Sequence, residues 1–421
     1  MIMSSLMYPA LQKFYNALKH LKQFETDNSF FDNIGCIDSF LSEFRSSTLT
    51  LQASLGDSKH PDYIKNLNEY LLKDEKIAKW MNDQRVTVVH RHPFSLKKIL
   101  RVVIYDSGNA VEFVKYEQTL EKEDPIGNYL EEIRNTIFSK LSPEIHFSVE
   151  YVFVDEEDTD EISIFDFIER GVVAMWQFLH AMKNDLEDNS NVATTLMREI
   201  DSMVQSLPSR WAIDVVDYCY YRSDNRFERG WTLMIALPHV RIPTIYLIEQ
   251  VKQLSAKVET SYEAFMYLHT LVYIEQKHHI LNTFCIVFED GTYQIIAFAA
   301  SIRTTMYRYI NRVANLISKD KVVEVYLVTE TVRYSGVDMQ SLPVFLQLNY
   351  KERMPYRTKT FLTFYKITQL GEIEHVMMDA DSLVDRLSVS VAMENSKNSQ
   401  ERSVIVMLTP IVESFKAKTE K

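Results

Sequence analysis

At Pro93 the spacing of apolar residues changes from helical to alternating, and this change sets the coarse architecture: helices before it, strands and helices after it. Before Pro93 four helices are predicted. The first has Pro9 near its start and Leu11, Phe14, Tyr15, Leu18 and Leu21 along one stripe. The second, of about six turns, carries Ile34, Ile37, Leu41, Phe44, Leu51 and Leu55, and Gly56 is its stop. The third starts at Pro61 and turns Tyr63, Ile64, Leu67, Tyr70 and Leu71 to the same core. The fourth follows Asp74, buries Ile77, Trp80, Met81 and Val88, and ends near His90, because Pro93 forbids continuation and pushes His92 out of helical geometry.

After Pro93, strands 99–105 and 110–116 flank the turn Asp106-Ser107-Gly108-Asn109. A helix then follows an Asp124 cap and Pro125, and a strand alternates Ile145, Phe147, Val149, Tyr151 and Phe153. The same order recurs about 183 residues later, where strands 284–288 and 293–300 precede a helix over 302–317 and a strand over 322–329. Two copies of one hairpin-helix-strand unit and two unrelated α+β units both fit this pattern. Between them lie helices at 164–187, 192–206 and 243–277, with an irregular, partly strand-like stretch around Trp211 and Tyr218–Tyr221. Near the C-terminus, strands are predicted around 360–368 and 403–409, a loop over Asn395–Arg402, and a fraying helix over the last ten residues. The predicted class is α+β, with three segments: a helical domain over 1–95 and α+β domains over 96–209 and 210–421.

With 421 residues and 46% hydrophobic content, the chain buries several cores. Its three cysteines, Cys36, Cys219 and Cys285, are too far apart for a metal knuckle or a disulfide framework, so no metal and no cofactor is expected. No apolar run reaches membrane-spanning length, and the opening MIMSSLMYPA lacks the basic start of a secretion signal. A cytoplasmic protein without membrane contact is expected. The net charge of −12 argues against general nucleic-acid coating, so any such contact is local.

One stretch fits a local phosphate contact. From Gln84 to Tyr105 there is no acid, while Arg85, Arg91, Lys97, Lys98 and Arg101 supply five cations. Within it, Asn82 to His90 holds Arg85 and His90 as an Arg-x4-His pair, and His92 completes an Arg-x6-His alternative. The run Asp155–Glu161 reads as a solvated loop, and His278 and His279 as complements to a helix end. Glycine-rich phosphate loops and Gly-x-Ser-x-Gly elbows do not occur.

The four-helix order, the long second helix and the Arg85/His90 pair near the end of the fourth resemble the HEPN family over about the first 95 residues. Val86 departs from the family, in which a polar residue, often Asn, usually follows the arginine. The resemblance implies metal-independent endoribonuclease chemistry of the toxin or phage-defence kind. His90 would exchange a proton with the ribose 2′-hydroxyl or the leaving oxygen, and Arg85 would hold the scissile phosphate. It also implies a homodimer in which two motifs face each other. Asn82, Arg91, His92, Lys97 and Lys98 are then the candidate RNA-binding or alternative catalytic residues. The C-terminal region would sense a trigger, restrain the nuclease or bind a regulatory protein. A non-enzymatic, dimerising interaction protein built on the same helices is the competing reading.

Overall fold

A computed structural model describes residues 5–25, 29–56, 60–120, 126–138, 141, 144–157, 163–211, 215–236, 241–254, 258–276, 279–336, 345, 353–396, 401–402 and 405–419. The expected Asp124 cap, the acids 158–161 and His278 lie outside these residues. The protein is mixed α and β, with a helical N-terminal region followed by sheets.

Two compact units divide the chain, and neither is one continuous segment. Unit 1 gathers residues 1–101, 116–128 and 150–215, and unit 2 gathers 102–115, 129–149 and 216–421. The three consecutive segments suggested by periodicity cut the chain differently, because helices 164–185 and 191–211 group with the N-terminal helices.

Unit 1 is a helical assembly. Helix α1 (Tyr8–Gln23) buries Leu11, Phe14, Leu18 and Leu21, each contributing roughly 1.5–3 kcal/mol of apolar burial. Helix α2 (Phe30–Leu55) starts at Ser29, whose hydroxyl accepts from the Asp32 amide, and stops at Gly56, where φ of +67° favours glycine. Helix α3 (Pro61–Asn66) continues as a π-helical turn over Leu67–Leu71, and α4 spans Glu75–His90. Helix α6 (Ile164–Asp185) and helix α7 (Asn191–Trp211) close the bundle, with α5 (Ile126–Thr136) preceding them in the chain. Phe14, Phe40, Phe44, Tyr63, Phe178 and Ile200 share one core.

A five-stranded sheet runs in the order β2-β1-β3-β4-β5, where β1 is Leu96–Tyr105, β2 Glu112–Leu120, β3 Glu144–Asp155, β4 Val215–Tyr221 and β5 Arg226–Arg229. The irregular stretch expected around Tyr218–Tyr221 is thus a regular strand, stabilised by burial of all three tyrosine-bearing positions Tyr218, Tyr220 and Tyr221.

Unit 2 holds a larger sheet, ordered β13-β12-β11-β10-β8-β9-β6, with the short β7 on β9. Its strands are β6 (Thr232–Ala236), β7 (Ile242–Pro243), β8 (Asn282–Phe288), β9 (Thr292–Ala300), β10 (Val322–Tyr334), β11 (Arg357–Thr368), β12 (Ile373–Asp379) and β13 (Glu401–Arg402). Strand alternation separates its two faces. Phe284, Ile286, Val325 and Leu327 enter a core with Tyr309, Ile310 and Val313 of α10 (Arg303–Lys319). Cys285, Val287, Tyr326 and Val328 enter the opposite core, with Leu247 and Val251 of α8 (Thr244–Gln253) and Phe265 and Leu271 of α9 (Ser261–Glu275).

The helix expected over 243–277 is two helices. Thr260 accepts from the Glu263 amide while the Glu263 carboxylate takes the Thr260 amide, a capping box that starts α9 anew. The strand expected over 403–409 is corrected for its described part: Val406–Leu408 form a 3₁₀ turn that feeds a helix over Thr409–Thr419, burying Leu408, Ile411 and Phe415.

His269 on α9 gives unit 2 a pH dependence. Burial drives its pKa down to about 4, against the opposing hydrogen bond to the Phe265 carbonyl at 2.9 Å. Its ring edge keeps some solvent exposure, so the energy is an upper figure. A folded pKa below the unfolded one means the denatured state takes up the proton first. The stability is therefore complete above about pH 6.5 and is lost as pH falls toward 4, by at most about 2 kcal/mol at pH 5. Urea midpoints at pH 7 and pH 5 are expected to converge in His269→Gln relative to the parent; an unchanged difference would assign the pH dependence elsewhere.

Candidate functional site

Helix α4 positions the candidate residues. Asp74 starts it, accepting from the Ile77 amide at 3.2 Å and pairing with Arg170. Ile77, Met81, Gln84 and Thr87 form its buried face, and Gln84 donates through its side chain to Asp155. The last turn closes when the Arg91 amide donates to the Thr87 carbonyl at 2.8 Å and the His92 amide to the same oxygen at 3.2 Å. Pro93 then ends the helix, and Phe94, 1% exposed, anchors the turn into the core while its amide donates to Asp38 at 3.0 Å. Burial pushes the Asp38 carboxyl up despite that hydrogen bond.

His90, Arg91, His92 and Asn82 are exposed, and Arg85, Lys97 and Lys98 are half-buried. Because α4 is a regular α-helix through His90, Arg85 and His90 are separated by ~140° about its axis and leave it on different sides. One chain therefore does not bring them together on α4. An open groove along α4 is lined by Lys76, Lys79, Asp83 and Arg91, and neither Arg85 nor His90 is among its lining residues. Val86 lines the same groove, as do Trp80 and Phe167, stacked at 4.8 Å.

The basic stretch read from sequence is smaller in three dimensions. Arg101 is clamped by Glu150 at 2.9 Å and by Glu117, and these partners hold its pKa up against the burial that lowers it. His92 Nδ1 donates to the Pro93 carbonyl at 2.9 Å, and its Nε2 lies 3.6 Å from Glu157. Lys98 sits over the Tyr151 ring at 4.3 Å. Asp155 and Glu157 also line the groove. His90 and Arg91 form the exposed basic end of α4.

Sequence reasoning missed a second concentration of polar groups, inside unit 2. One face of β3 presents Glu144, His146 and Ser148, and the matching face of β4 presents Asp217, Cys219 and Tyr221. Thr304, Tyr307 and Arg308 of α10 contribute to the same layer. The signal was present as period-two polar positions in strands whose alternate residues are Ile145, Phe147 and Val149, but pairing β3 with β4 requires the fold.

Asp217, 1% exposed, is the centre of this layer. It accepts Nε and Nη2 of Arg308 at 2.9 Å each and the Ser148 hydroxyl at 2.7 Å. Burial alone would lower the Arg308 pKa, but Asp217 outweighs it and holds the guanidinium charged. Burial pushes the Tyr105 phenol well above its usual range, and its oxygen lies 3.2 Å from Ser148 Oγ.

No family model, no curated protein and no solved structure matches this chain.

Proposed function

We propose that the N-terminal helices form a HEPN-like module and that the protein is a metal-independent RNA endonuclease acting as a homodimer. The observation that carries this reading is the exposed basic end of α4, where His90 and Arg91 are exposed and Arg91 lines a groove containing Trp80. An imidazole there can take a 2′-hydroxyl proton, and a guanidinium can balance charge on the phosphate. In this reading each active centre pairs Arg85 of one chain with His90 of the partner, which accommodates the ~140° between them on α4. Arg91 and Lys97 are assigned to the RNA backbone, with Asn82 and Lys98 at the margin and His92 as the alternative base. The reaction needs the 2′-hydroxyl, so RNA is cut to a cyclic phosphate and DNA is spared.

The rest of the chain serves regulation in this reading. The hairpin β1-β2 with β3, and the hairpin β8-β9 with β10, share both element order and strand neighbours, which supports an origin by duplication.

A second reading is favoured by one observation. Val86 faces the groove, and the acids Asp83, Asp155 and Glu157 offset Lys76, Lys79 and Arg91, which suits a dimerising interaction protein without cleavage. Incubating purified protein with total RNA in buffer free of added divalent cations separates the two. Cleavage supports the nuclease; intact RNA with tight dimerisation supports the interaction protein.

A further inference from the structure

Glu144 and His146 lie two residues apart on the same face of β3, and Cys219 lies on the neighbouring strand β4. One donor atom from each falls within 4.8 Å of the other two. The His146 side chain is 3% exposed, and Cys219 is 1% exposed. From these positions we propose that Glu144, His146 and Cys219 bind one divalent ion of the zinc class.

The hydrogen bonds around His146 fix its tautomer. Thr304 has a single hydroxyl proton, which it donates to the Tyr218 carbonyl at 2.8 Å. The same oxygen lies 2.9 Å from His146 Nδ1, so Nδ1 carries the proton and donates to Thr304. In the neutral ring Nε2 is then the lone-pair nitrogen, and it lies 3.2 Å from Glu144 Oε1. A buried imidazole held through Nδ1–H with Nε2 aimed at a thiol and a carboxylate is the arrangement of a metal-ligating histidine with its orienting partner.

The two separations to Glu144 agree with a shared ion, and His146 Nε2 and Cys219 Sγ lie within 4.8 Å of each other. Zinc lies about 2.0–2.2 Å from nitrogen and carboxylate oxygen and about 2.3 Å from sulfur, so tetrahedral ligands sit about 3.4 Å apart for N and O and about 3.6 Å for S and O. The observed values are 3.2 Å for His146 Nε2 to Glu144 Oε1 and 3.7 Å for Cys219 Sγ to the same oxygen.

Charge points the same way. Cys219 Sγ donates to the Glu144 carboxylate at 3.7 Å. On binding, the ion displaces that proton to solvent, and a thiolate, a carboxylate and a neutral imidazole balance its two positive charges. No fourth His, Cys, Asp or Glu joins the group among the described residues, which leaves one coordination position for water.

The test uses the full-length protein. Elemental analysis after expression with zinc and desalting is expected to give close to one zinc per chain, and cobalt(II) in its place is expected to show a thiolate charge-transfer band. That band persists in Cys36→Ser and disappears in Cys219→Ser, while Thr304→Val weakens zinc binding about 10- to 100-fold. The wild-type band needs no variant, so a Cys219→Ser protein that fails to fold leaves the test intact. Wild-type protein that binds neither zinc nor cobalt(II) at one per chain, or whose band survives Cys219→Ser, overturns the proposal; in the first case an imidazolium paired with Glu144 accounts for the cluster.

Discussion

Asp217→Ala is expected to destabilise unit 2 by about 3–5 kcal/mol, because it leaves the Arg308 guanidinium charged and unpaired in a layer where Asp217 is 1% exposed. The loss exceeds that of a surface ion pair, typically below about 1 kcal/mol, since water cannot replace the lost carboxylate. It also removes the acceptor for the Ser148 hydroxyl. Asp217→Asn keeps the shape but supplies one neutral oxygen to a bidentate donor, so most of the loss persists. Combining Asp217→Leu with Arg308→Met removes both charges and is expected to recover most of the stability. Urea unfolding of the four proteins checks this. Single-variant losses below about 1 kcal/mol, or a double variant as unstable as Asp217→Ala, would show that the pair is solvated.

The second large effect is catalytic. His90→Ala is expected to lower RNA cleavage by about 10²–10⁴-fold, the usual contribution of a positioned general acid or base. Arg85→Ala is expected to lower it by about 10²–10³-fold, as for other groups that balance developing charge. Arg85→Lys recovers little of this, because an ammonium lacks the planar fork that meets two phosphate oxygens. The shared site makes a further demand. Each variant alone is inactive at both centres, but a mixed dimer of Arg85→Ala with His90→Ala keeps one intact centre, so random mixing restores about a quarter of the parent activity. Gel assays on the separate and mixed proteins read this directly. Mixing that restores nothing would place both residues in a single-chain site or in none.

How much of this was readable beforehand depended on the range of the interactions. The four N-terminal helices were legible because their signals are local: Pro9 and Pro61 at starts, Asp74 as cap, Gly56 and Pro93 as stops. The hairpins at Asp106–Asn109 and at Glu289–Thr292 were legible for the same reason, as short turn chemistry. The division of helix 243–277 was present as Thr260-x-x-Glu263 but was overridden by the apolar periodicity on both sides. The Val406–Leu408 turn misled because residues 404–408 are a continuous apolar run, as in a buried strand, while the segment packs a helix onto α10.

The candidate site was legible only as a composition. The absence of acids from Gln84 to Tyr105 suggested a larger basic area than exists, because Glu117 and Glu150 on neighbouring strands and Glu157 in the turn after β3 neutralise part of it. The Glu144, His146 and Cys219 cluster was invisible for the converse reason. Two of its members sit two residues apart, and the third is on a strand more than 70 residues away, a separation that no knuckle spacing encodes.

The central claim is RNA cleavage that uses the 2′-hydroxyl and depends on Arg85 and His90. End-labelled single-stranded RNA, and the same sequence in DNA, incubated with the parent protein in buffer free of added divalent cations, test it most directly. RNA products ending in a cyclic phosphate, untouched DNA and no products from His90→Ala are expected. Intact RNA, products ending in a 3′-hydroxyl, or equal cleavage by His90→Ala would contradict it.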